Sequence, residues 1–176
     1  MVGSIAVAQP RIRSRSAAIA LVAAAQALPW FFHLVHLPGP IFLPMHFAVL
    51  LAGLALGPTA GLVNGLAAPV VSFLLTGLPP AGLVPLMTVE AAVYGGLAGC
   101  LAHRTAWRGL WIVLATLAAG RLALLGAAAV LAPLFGLALP AVSFVTNALV
   151  TGAIGIALQV ALLSPAARFL APVGRP

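Results

Sequence analysis

From residue 17 onward the chain runs in long apolar stretches broken by proline and glycine and hardly ever by charge. The stretches approach or exceed the ~20 residues that carry a helix across a bilayer. They lack the alternation over ~10-residue segments that a membrane β-barrel shows. Breaks at Pro and Gly divide them at about 17–36, 46–56, 58–76, 85–103, 110–133 and 140–163. The pattern predicts an all-α fold, a bundle of six transmembrane helices. No polar linker divides the chain, so 1–176 is expected to be one domain with a short N-terminal arm over 1–16.

The second segment is the weak point. Its eleven residues reach only ~16 Å as helix, against a ~30 Å hydrocarbon core. One helix over 46–76 would run ~46 Å, and "LGPTAG" interrupts it. Charge separates the alternatives. Six spans put Arg11, Arg13, Arg15, Arg104, Arg108, Arg168 and Arg175 on one side and leave the loops near 37–45, 77–84 and 134–139 without Arg or Lys. Five spans put Arg104, Arg108, Arg168 and Arg175 outside, against the positive-inside bias. Both termini are therefore expected in the cytoplasm. The opening "RIRSRSAAIALVAAAQALPW" imitates a signal peptide with "AQA" at 25–27. The apolar run continues through "WFFHLV", so an uncleaved first helix is expected.

Composition removes whole classes of function. The chain is 64% hydrophobic and 5% charged, with a mean hydropathy of +1.23, where a soluble domain carries about a quarter charged residues. The net charge of +7 comes from arginines scattered at membrane edges rather than from a nucleic-acid groove. A lone Cys100 excludes an intrachain disulfide and dithiol chemistry. There is no lysine, so the chain has no phosphate-cradling GxxxxGK[ST] loop and no ATPase activity of its own. His46 and Glu90 are too few for a metal site, and no nucleophile stands beside a base. Neither enzyme activity nor a cofactor is expected.

The loops "LPGPIFLP" and "TGLPPAGLVP" are apolar and rich in proline, which stiffens a segment. They suit either a lid over a site or an interfacial connection. Glycines four apart, Gly53, Gly57, Gly61 and Gly65, then Gly95 and Gly99, predict close helix approach. In the first span, Ala20 with Ala24 and Ala23 with Ala27 make a smooth face. It packs either inside the bundle or against another membrane protein.

Glu90 is the only acidic residue in the chain. Met87, Glu90 and Tyr94 share one helical face, with Glu90 ~7 Å deep. Arg121 falls near the middle of the fifth span. A central Arg costs about 2.5–3.5 kcal/mol to insert and cannot shed its proton. It needs a carboxylate, a cavity or both. A structural Arg121–Glu90 pair is one account, although the estimated depths differ by more than ~10 Å. The other is a polar pocket, open to the outside, built by His46, Asn64, Glu90, Tyr94, Arg121 and Asn147 and completed by a solute. His33 and His36 are expected at the interface, and His103 on the cytoplasmic rim.

The stretch "LPMHFAVLLAGLALGPTAGLVNGLAAPVVSFLLTGLPP", followed by "PLMTVEAAVYGGLAG" and "AGRLAL", resembles the substrate-binding membrane subunits (S components) of energy-coupling factor vitamin transporters, over about 17–163. The resemblance implies a subunit of a prokaryotic cell membrane that captures a vitamin from outside. Its implied partners are a transmembrane coupling subunit and two ATPase subunits. The first-helix AxxxA pattern of that family falls on Ala20 and Ala24, with Ala23 and Ala27 as a second register, and implies docking to the coupling subunit. The likeness is nearest the pantothenate-type subgroup, and a carboxylate would give Arg121 a bidentate partner. Cobalamin, a pyrimidine or a deazapurine precursor stay open. The chain begins "MVGS" rather than Met-His, which disfavours metal uptake, and the Gly-Pro-Thr-Gly-Gly-Tyr element of the biotin subgroup is absent. A self-sufficient channel, with Arg121 lining a pore, and a scaffold held by the Arg–Glu pair are the competing readings.

Overall fold

The computed structural model describes residues 15–170. The expectation of a cytoplasmic arm and tail carrying Arg11, Arg13 and Arg175 falls outside them. Helices α1 (Arg15–Gln26), α2 (Leu28–Leu34), α3 (Gly39–Phe42), α4 (Pro44–Leu56) and α5 (Pro58–Thr76) come first. A 3-10 turn (Ala81–Leu83) leads into α6 (Val84–Arg104), and α7 (Gly109–Leu134), α8 (Ala141–Thr151) and α9 (Ala153–Leu170) follow. Among the described residues there is no strand. Among the described residues four stretches are long and apolar enough to cross a bilayer, and α8 with α9 makes a fifth if that bent pair is one span. The chain is an all-helical, multi-pass membrane protein.

Helix α5 shows what kind of solvent surrounds the bundle. Its buried face carries Gly61, Gly65, Pro69 and Ser72, whereas Leu62, Leu66, Val70 and Leu74 are exposed. Small residues turn inward and large apolar ones outward, the arrangement of a helix in lipid rather than in water.

Three segments differ from the pattern read in the sequence. The first run, expected as one helix over 17–36, breaks at Ala27, because Pro29 has no N–H and its ring crowds the carbonyl four residues back. The second, expected over 46–56, is extended by α3. Leu43 takes a left-handed conformation (φ 52, ψ 47) between α3 and α4, and the combined Gly39–Leu56 stretch is 18 residues long. The last, expected as one span over 140–163, bends by 61° between α8 and α9. At the bend Gly152 lies against the Leu43 side chain, and a Cβ on Gly155 would overlap the Phe42 backbone. The Gln159 Nε2 donates to the Leu43 carbonyl at 3.4 Å, which ties α9 to the α3–α4 junction.

Glycine sets the packing at the end of the bundle that carries Arg104 and Arg108. A Cβ on Gly95 would overlap the Gly61 carbonyl, one on Gly53 the Gly95 carbonyl, and one on Gly99 the Gly57–Pro58 backbone. Helices α4, α5 and α6 therefore touch backbone to backbone. His103, expected on the rim, has its Nε2 3.1 Å from the Leu54 carbonyl. The opposite, proline-rich end of the bundle encloses a cavity.

Candidate functional site

The cavity measures about 310 Å³, and its walls come from α2, the α3–α4 junction, α5, the Leu78–Leu83 loop, α6, α7 and α8. Pro40 and Pro44 from one loop and Pro79 and Pro80 from the other border it directly. Both proline-rich segments thus fold over the cavity instead of lying apart from it. Ser72 donates to the Leu78 carbonyl at 2.8 Å and holds the second of them against α5.

The charged groups gather at one wall. Glu90 Oε1 accepts from the Tyr94 hydroxyl at 3.0 Å and pairs with Arg121 Nη1 at 2.8 Å. Glu90 Oε2 lies 3.3 Å from His46 Nε2. The four-residue step from Glu90 to Tyr94 stacks both on one face of α6, and Tyr94 meets the His46 ring edge-to-face at 5.3 Å. All four side chains are buried, and Arg121 is 8% exposed. His46, Glu90 and Arg121 border the cavity, while Tyr94 stands behind them.

The Arg121–Glu90 contact corrects the depth difference inferred from the sequence. The 3-10 turn lengthens the Glu90 helix at its proline-rich end and sinks Glu90 deeper than a start at residue 85 implies. Gly120 packs against the Tyr94 ring, one turn below Glu90, so Arg121 needs to reach only about a turn upward. Yet Glu90 occupies only Nη1. Arg121 Nε and Nη2 are buried and have no hydrogen-bond partner among the described residues. These two nitrogens form one edge of the guanidinium, the edge that takes a carboxylate side-on through two parallel bonds.

The other expected site residues lie elsewhere. Asn64 accepts from Gln26 Nε2 and lines a separate, smaller cavity. Asn147 is exposed on α8 and does not border the main cavity, although its neighbour Ala148 does. One helical step turns a side chain by ~100°, so the two residues face different ways. His33, expected at the interface, borders the cavity, whereas His36 is exposed. Sequence reasoning passed over Gln26, Ser72 and Gln159. A polar side chain inside an apolar span was the signal available for each.

A helical membrane bundle with a solute-sized cavity walled by a buried charge cluster is a solute-binding membrane protein. Residues 16–167 match the family described as ECF transporter, substrate-specific component. The chain belongs to that family, whose members bind small-molecule substrates for the transporter and are not enzymes. No curated protein and no solved structure matches it.

Proposed function

We propose that the chain captures a small acidic vitamin, with pantothenate the leading candidate, and delivers it through an ATP-driven complex. The observation that carries this reading is that Arg121 borders the main cavity while its Nε and Nη2, buried beside it, have no hydrogen-bond partner among the described residues. An unpaired donor buried in a protein costs about 1–3 kcal/mol, and more when charged. A carboxylate satisfies both donors at once. Glu90 and His46, beside it, can meet a hydroxyl or amide of the same solute. A cavity of about 310 Å³ sits at the small end of the ~300–1,000 Å³ range of ligand sites.

In this reading the described spans and the first apolar run make six crossings, both termini are cytoplasmic, and the proline-rich end faces outward. The positive-inside bias supports that orientation, since Arg104 and Arg108 lie at the other end. Ala20, Ala23, Ala24 and Ala27 are all exposed and form the face that docks the coupling subunit, which acts with two ATPase subunits. The direct Arg121–Glu90 pair favours one competitor, a scaffold held by that pair.

A thermal-shift panel of vitamins on the purified chain separates these readings. A ligand stabilises the native state by RT ln(1 + [L]/Kd). One acidic vitamin should raise the melting temperature selectively; a flat panel supports the scaffold.

A further inference from the structure

The smaller cavity measures about 220 Å³ and is lined by Gln26 of α1 and Asn64 of α5. Pro29, Met45 and Ser72 border both cavities. Gly65 abuts the Ala91 carbonyl where α5 meets α6, which puts the Asn64 backbone within about two residues, ~3 Å, of the level of Glu90. Met45 and His46 are neighbours on α4 and point ~100° apart. His46 turns to Glu90, while Met45 stands between the two hollows.

The amide pair is built for more than the single bond it makes. Gln26 Nε2 donates to Asn64 Oδ1, which leaves Gln26 Oε1 and further N–H groups on both amides with capacity to spare. Within hydrocarbon no water satisfies such groups, and the space beside them is the small cavity. Its matching occupant is a neutral group that both donates and accepts, such as a hydroxyl or an amide. Methionine, unbranched and with three rotatable bonds, suits a partition that swings aside.

We infer that the two cavities are lobes of one binding site for an elongated acid. The acid's carboxylate lies on Arg121, and its neutral, hydroxyl-bearing far end passes Met45 to the Gln26–Asn64 pair. The inference rests on the function proposed above. Pantothenate, with a carboxylate at one end and hydroxyls at the other, is the probe.

The test compares pantothenate with an analogue lacking the far-end hydroxyls, by equilibrium binding to the purified full chain and to Asn64→Leu and Met45→Phe variants. The unsubstituted chain should prefer pantothenate about tenfold, the scale of one or two buried hydrogen bonds. Both variants should lose that preference, because variant and analogue remove the same interaction. A folded variant that keeps it would overturn the inference and make the amide pair a staple between helices, beside a crevice filled by lipid. If Asn64→Leu does not fold, Met45→Phe decides, since it leaves the amide pair intact. No pantothenate binding by the unsubstituted chain would overturn the substrate reading and this inference with it. Binding with the preference kept in the variants overturns this inference alone.

Discussion

At the arginine end of the bundle, α4, α5 and α6 meet at Gly53, Gly61, Gly95 and Gly99 with no room for a single added carbon. At the proline-rich end, Met45 and His46 of α4, Ser72 of α5 and Met87 and Glu90 of α6 border a hollow. The same three helices are sealed at one end and open at the other. Side-chain size draws the line, with Gly53, Gly61, Gly95 and Gly99 in the sealed part and Met45, His46, Met87 and Glu90 around the hollow. The comparison shows how a buried charge is tolerated. A scaffold would place its ion pair in the sealed half, whereas Glu90 and Arg121 stand at the border of the open one.

Substitutions in the two halves should therefore fail in different ways. The largest effect is expected in the sealed half. Gly61→Leu or Gly95→Leu drives a side chain into backbone, and the loss should exceed the ~3 kcal/mol upper range for overpacking. Little monodisperse protein should survive extraction from the membrane. A normal melting temperature would show that the helices part freely there.

In the open half, Arg121→Lys keeps a cation for Glu90 but removes the planar fork. Solute affinity should fall about a hundredfold, the scale of a charged hydrogen bond, with little change in ligand-free melting. Arg121→Ala strands Glu90 and should lower both, since breaking a buried pair costs about 3–5 kcal/mol. Equal behaviour of the two variants would return the pair to a purely structural role. His46→Gln retains a donor for Glu90 and should weaken binding only about threefold to tenfold, read by the same titration. The smallest effect on binding belongs to the first helix. Ala20→Leu with Ala24→Leu should leave affinity unchanged yet prevent co-purification with a coupling subunit. Loss of both would deny a separate docking face.

The sequence made the sealed half readable and the open half only partly so. Helices α5, α6 and α7 fall within one residue of the spans expected over 58–76, 85–103 and 110–133, because Pro, Gly and Arg mark their ends locally. The Gly61–Gly95 contact follows from the same spacing rule. The left-handed Leu43 and the bend at Gly152 depend on each other across the fold, and no local pattern encodes such a contact. The site shows the same limit. Glu90, Tyr94, His46 and Arg121 stood out as polar residues in apolar spans. Their grouping depended on helix ends shifted by a 3-10 turn, and Asn147 was lost to the solvent- or lipid-facing side by one step of helix rotation.

The measurement that bears most directly on the account is a structure of the chain with its solute bound. The account predicts a carboxylate with its oxygens ~2.7–2.9 Å from Arg121 Nε and Nη2, with the Glu90 contact to Nη1 kept. A solute held elsewhere in the bundle, with those two nitrogens still unpaired, would contradict it.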